Sequence, residues 1–157
     1  MTDNTSARKK AMKLLEYRDR TEKELHDRLI REGFDEEQTA DALSYVRSFG
    51  YLSDRRFAEN YIFFSLRKKS RQRILEELRR KGVSRETAEE AFLEAAGEEE
   101  HDERELILRE IRKKYPDGEV PDEKKQRSLY ASLARRGFRH DDILSALREI
   151  ARGDFSE

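Results

Sequence analysis

The chain has 157 residues, 44% of them charged and 35% apolar, with a formal net charge of -1. Without cysteine, disulfides and thiolate metal sites are excluded. So charged a sequence cannot build one large hydrophobic core, whereas several small cores in a row, each touching only its neighbours, suit it.

Residues 1–6 are polar and expected to fray, after which Ala11, Leu14 and Leu15 mark an amphipathic helix ending near Tyr17. Thr21 and Glu24 have the spacing of a capping box for a second helix, reaching about Glu32. Asp35 and Gln38 repeat that spacing ahead of a third, which carries Leu43 and Val46. Gly50-Tyr51-Leu52 crosses to a second group, where Ser53 or Asp54 caps a helix with Phe57, Ala58, Tyr61, Ile62 and Ser65 on its inner side. From Ser70 to Gly97 the chain places Ile74, Leu75 and Leu78 on one helical face, then Gly82 as a left-handed stop. Ser84 follows as a cap, ahead of the buried face Ala88, Ala91, Phe92 and Ala95. The third group opens with a helix over 98–115, with Ile107, Ile111 and Tyr115 inward, broken by Pro116-Asp117-Gly118. Asp122 caps the next helix, through Leu129 to Arg136, and the last runs from about His140 to Ala151. No segment alternates with the period of a strand.

Alignment on the glycines reveals a repeat. Leu25, Leu29, Gly33, Phe34, Ala42 and Leu43 correspond to Ile74, Leu78, Gly82, Val83, Ala91 and Phe92, and again to Leu129, Leu133, Gly137, Phe138, Ala146 and Leu147. Agreement in kind at each position defines a tandem array. The predicted fold is therefore all-α: three tandem three-helix repeats over 1–50, 51–97 and 98–157, with Gly33, Gly82 and Gly137 equivalent on substitution.

No glycine-rich phosphate loop is present, and His26, His101 and His140 fall one to a repeat, too scattered for a metal cluster or a histidine-activated nucleophile. The expectation is a protein without cofactor, metal or catalytic residues. Lacking a secretory signal or an apolar run of about 18 residues, it is expected in the cytoplasm, without membrane contact.

Charge is the informative feature. Residues 66–85 hold nine basic residues against two acidic ones, and residues 86–105 hold ten acidic residues against Arg104 alone. Helical spacing pairs Glu76 with Arg80 and Glu77 with Lys81, and a helix C-terminus favours cations at Arg79, Arg80 and Lys81. Arg67, Lys68, Lys69, Arg71 and Arg85 are left without a local partner. At about 100° per residue, Phe63 lies opposite the apolar side of its helix, in line with Arg56 and Arg67. It is either a lone surface ring, open or covered by a neighbouring repeat, or a contact for a partner. The candidate partner-binding set is Phe63, Arg67, Lys68, Lys69, Arg71, Arg73, Arg79 and Arg85, the bland alternative being a solvated face.

Three motifs carry a family resemblance: Arg18-Asp19-Arg20-Thr21-Glu22-Lys23-Glu24-Leu25, Gly50-Tyr51-Leu52-Ser53-Asp54-Arg55-Arg56-Phe57-Ala58 and Ile74-Leu75-Glu76-Glu77-Leu78-Arg79-Arg80-Lys81-Gly82-Val83. With them the chain resembles the RecX regulatory proteins, modulators of the RecA recombinase, over nearly its whole length. The resemblance implies an elongated, curved array that binds along the groove of the RecA filament, suppresses its ATPase and strand-exchange activities and catalyses nothing itself. One departure is visible: Lys68-Lys69-Ser70 stands where such proteins usually have a glycine-containing turn.

The competing readings are direct binding to single- or double-stranded DNA by helix-turn-helix-like units, which near-zero net charge opposes, and a helical scaffold for unrelated proteins. Because each repeat buries its face only against itself and its neighbours, an extended monomer is expected. Small-angle scattering should then give a radius of gyration above the roughly 15 Å of a compact chain of this length; a value at 15 Å would mean that the repeats fold back on one another.

Overall fold

The computed structural model describes residues 4–96, 102–116 and 118–152, and among them every regular element is helical. In chain order these are α1 (Thr5–Tyr17), α2 (Glu22–Arg31), α3 (Glu36–Ser48), α4 (Asp54–Ser65), α5 (Arg71–Arg80), α6 (Arg85–Ala96), α7 (Glu103–Lys114), α8 (Glu123–Arg135) and α9 (His140–Ala151). None of these helices is long and apolar enough to cross a membrane.

Local chemistry sets the ends. Thr21 with Glu24 and Asp35 with Gln38 both form complete capping boxes, as their spacing predicts. Ser53 rather than Asp54 caps α4, its hydroxyl accepting from the Arg56 N–H, and Ser84 caps α6 through the Thr87 N–H. The third group departs from expectation: α7 starts at Glu103 behind an Asp102 cap, the predicted turn from Glu98 to His101 lying outside the described residues. Asp122 caps α8 as expected, but the helix begins at once, at Glu123, six residues before the stretch singled out in the sequence. Each second helix ends in one motif, in which the residue after the glycine donates its N–H five residues back: Phe34 to Leu29, Val83 to Leu78, Phe138 to Leu133.

The chain gathers into two compact units. One takes in α1 to α3, α4 as far as Phe63, the end of α5 from Glu77, and α6. Here α1 packs on α3 with α2 against both, burying Ala7, Ala11, Leu14, Leu25, Leu29, Ala42, Leu43, Val46 and Leu52. The other takes in Phe64–Glu76 with α7, α8 and α9. Its core is Leu106, Ile107, Leu108, Ile111, Leu133, Phe138, Ile143, Ala146, Leu147 and Ile150. Nearly all of the apolar positions used to align the repeats are buried; Phe34 and Leu129 are partly so.

Each unit also contains the same junction between repeats. In the first, the Gly82 stop seats on the start of α2: the Thr21 hydroxyl donates to the Lys81 carbonyl, and the Lys81 ammonium lies 3.8 Å from Glu24. In the second, the Gly137 stop seats on the start of α5: the Ser70 N–H donates to the Arg136 carbonyl at 3.3 Å, and the Arg136 Nε donates to the Lys68 carbonyl at 2.6 Å. Both hydroxyl residues are fully buried. The fit is close enough that Gly82 and Gly137 are needed for space as well as for their backbone angles, φ +101° and +88°. A Cβ on Gly82 would lie 2.4 Å from Lys23 Cβ, and one on Gly137 2.5 Å from Arg73 Cβ and 2.6 Å from Ser70 Oγ. Gly33 has the same left-handed backbone with nothing within 4 Å, so the expected equivalence of the three glycines fails.

In chemical denaturation, Gly33→Ala should cost about 1 kcal/mol, the price of left-handed backbone alone. Gly82→Ala and Gly137→Ala should each cost roughly 1 to 3 kcal/mol more, the range for overpacking. Equal losses at all three would mean that the junctions yield without resistance.

Candidate partner-binding surface

Residues from all three sequence motifs meet at the start of α2. Besides the Thr21 bond to Lys81, the Glu22 N–H donates to Asp54 Oδ1 at 2.8 Å, and Arg20, 7% exposed, donates its Nε to the Leu14 carbonyl at 3.3 Å. Burial pushes the Asp54 carboxyl above the usual carboxylate range, with the nearby Arg47 acting against it. The Gly50-to-Ala58 motif thus places a partly buried acceptor on the first N–H of α2, an architectural task.

The basic run begins as α4 ends. The Ser65 carbonyl accepts from both the Lys68 and the Lys69 N–H, at 2.9 and 3.0 Å, and turns the chain without a left-handed residue. The Lys68-Lys69-Ser70 turn therefore closes without glycine. It is held from the third repeat by Arg136 on the Lys68 carbonyl and by Glu103, whose Oε1 accepts the Arg71 N–H at 2.6 Å. Arg136 reaches Glu110 as well, at 3.6 Å.

The structure divides the candidate set. Phe63, Arg79 and Arg85 belong to the first unit, and Arg67, Lys68, Lys69, Arg71 and Arg73 to the second. It also corrects their pairing. Arg85 is not a lone cation, since its Nε lies 2.9 Å from Glu89 one turn on. Lys69, Arg71 and Arg73 are likewise engaged within the chain. Lys69 is half-buried, and burial first, then Arg73, eases the proton from its ammonium. Arg67, Lys68 and Arg79 are exposed, and no described residue pairs with their side chains. Phe63 does face outward, at 73% exposure, opposite buried Ala58, Ile62 and Ser65. Phe64 is exposed to the same degree, which sequence reasoning missed because a helical wheel aligns it with Phe57.

The acidic block is less unbalanced in space than in sequence. Arg55 on α4 reaches Glu59 at 3.1 Å, then Glu90 at 3.1 Å and Glu94 at 2.9 Å on α6. The Glu94 hydrogen bond above all raises the guanidinium pKa. Among the described histidines, His26 sits between Glu36 and Asp27, whose hydrogen bonds raise its pKa, and His140 Nδ1 lies 2.7 Å from the Tyr130 hydroxyl. No group of described residues has the makeup of a metal site. A further exposed feature went unread in the sequence: Phe49 lies edge-on to Tyr45 at 5.0 Å and stacks with Tyr51 at 6.0 Å.

The fold defines an all-helical, tandem-repeat protein. Comparison with known proteins gives the family. Models of the first, second and third three-helix domains of RecX match residues 7–45, 53–91 and 102–147, and the chain belongs to the RecX family of regulatory proteins. Regulatory protein RecX of Haemophilus influenzae is 35% identical over 83% of this chain and 85% of its own length. That of Chlorobium phaeobacteroides is 31% identical over 96% and 97%. The crystal structure of RecX from Lactobacillus salivarius superimposes with a TM-score of 0.67 at 22% identity, over 94% of this chain and 96% of that one, a likeness of fold.

Because Arg136 holds the basic turn, Arg136→Ala should cost about 1.5 kcal/mol, the loss expected for a hydrogen bond from a charged group. Amide exchange at Lys68 and Lys69 should rise with it; unchanged exchange there would show that the Ser65 carbonyl alone suffices.

Proposed function

We propose that this chain binds the RecA nucleoprotein filament and lowers its ATPase and strand-exchange activities, acting in the cytoplasm by contact without catalysis. The observation that carries this reading is the ordered match of all three RecX domains along the chain, joined to relatives named regulatory protein RecX. The contact proposed is electrostatic. Arg67 and Lys68 are exposed beside a turn that the fold fixes in place, so they can meet acidic protein surface or the filament's DNA at little cost in ordering. Phe63 offers an apolar contact of its own on the other unit.

The test is RecA ATPase on single-stranded DNA, titrated with the parent chain and with Arg67→Glu/Lys68→Glu. Exposed charges outside caps and cores usually change stability by less than about 0.5 kcal/mol, so the double reversal should melt with the parent. Lys69 and Arg71 are left out because both are engaged within the fold. Half-inhibition should need about tenfold more of the variant, and the parent's own inhibition should weaken as salt rises. Phe63→Ala should weaken inhibition without changing that salt dependence. A folded reversal that inhibits as well as the parent removes this turn from the contact. Tight parent binding to DNA alone, with no effect on RecA, would favour the direct nucleic-acid reading.

A further inference from the structure

The third repeat differs from the first in the space between its first two helices. In the first, α1 packs against α2 as well as α3; in the third, α7 and α8 both pack on α9, and a cavity of about 550 Å³ opens between them. Two features of α8 accompany it. This helix has 13 residues where α2 and α5 have 10, and Lys125 lies in the added first turn. On the alignment by glycines, Ser128 and Ser132 stand where the first repeat has Glu24 and Arg28 and the second has Arg73 and Glu77. Glu24 closes the capping box of α2, Arg28 pairs with Glu32, and Arg73 and Glu77 are engaged within the chain. Small hydroxyl residues thus replace long side chains with local duties.

The cavity is lined by donors that the fold does not use. Lys114 and Lys125 are exposed, and among the described residues neither ammonium has an ion-pair partner; Lys125 only approaches the Tyr115 ring, at 6.0 Å. No described residue bonds the hydroxyls of Tyr115, Ser128 or Ser132. The one acid in the lining, Glu110, is answered by Lys113 at 3.3 Å and Arg136 at 3.6 Å. Lys114 ends α7, where a helix favours cations, but Lys125 in the first turn of α8 opposes the macrodipole, so helix stability does not account for it.

We propose that this cleft binds a free nucleoside polyphosphate. Lys114, Lys125 and the two serine hydroxyls offer charge and donors to the phosphates, while Tyr115 and Leu129, both half-buried, offer an apolar wall to the base. The volume falls within the roughly 300 to 1,000 Å³ of small-molecule sites, more than an inorganic anion needs. Arg136, fixed on Glu110 and the Lys68 carbonyl, stands at the opposite end of the α8 lining from Lys125, which suits a pocket for one nucleotide better than a channel for a strand.

The experiment is calorimetric titration of the full chain with ADP and with CDP, without RecA, so that its outcome is separate from that of the inhibition assay. Saturable binding of one nucleotide per chain is expected for at least one of the two. Lys114→Gln and Lys125→Gln, each checked for folding by circular dichroism, should weaken it about tenfold, the loss of one charge-assisted hydrogen bond at an open site. Lys124→Gln removes a neighbouring charge that does not line the cavity and should leave the affinity unchanged. Adenosine and inorganic diphosphate should each bind at least tenfold more weakly than ADP. The proposal is overturned if the folded parent binds neither nucleotide, if Lys124→Gln weakens binding as much as Lys125→Gln, or if diphosphate binds as well as ADP. A single-stranded oligonucleotide that binds more tightly than either nucleotide and is weakened by Lys125→Gln also overturns it, assigning the cleft to a strand.

Discussion

The rest of the structure depends on the seating of a glycine stop on the cap of an earlier helix. A left-handed residue ends α5 and α8, and only a residue without a side chain lets Lys23, in one case, and Ser70 with Arg73, in the other, come within 3 Å of where a Cβ would stand. The same approach brings a carbonyl just past one helix, that of Lys81 or Arg136, to a donor on the capping residue of another, the Thr21 hydroxyl or the Ser70 N–H, so part of what a helix end leaves unsatisfied is met there. Each such bond adds only about 1 kcal/mol. Their effect is to set register: with the cap buried and the glycine filled in, one repeat has one place to sit on the next.

That constraint explains why the second repeat does not stand as a body of its own. The end of α5 and its glycine belong with α2, while the start of α5 belongs with α8 and α9. Cores this small cannot be stable singly, and a shared helix lets each draw on a neighbour. It also explains the placement of the family motifs. The Asp54 acceptor, the Thr21 cap and the Lys81 carbonyl meet at one helix start, so what marks the sequence as RecX is largely what joins its repeats.

Electrostatics divides along the same lines. Arg136, Lys81 and Arg55 each connect elements distant in sequence, the first two at junctions and the third across the acidic face of α6. Such cations are fixed and partly desolvated, and their charge is spent within the chain. Arg67, Lys68 and Arg79 are exposed and keep theirs for solvent or a partner.

The helices, their caps and their glycine stops were legible in the sequence because each depends on residues within about five positions: Thr21 with Glu24, Asp35 with Gln38, Gly82 after Leu78. The repeat was legible because three copies of one local pattern must bury the same positions. Pairing across the chain was not. That Arg85 is held by Glu89 could have been read from helical spacing, but that Arg55 balances Glu90 and Glu94, or that Glu103 and Arg136 hold the turn at Lys68, depends on which surfaces the helices bring together. The same holds for the glycines. Backbone angle is a local property and made Gly33, Gly82 and Gly137 look equivalent, whereas the space around each is decided by whatever packs against it, and only folding brought Lys23 and Arg73 there.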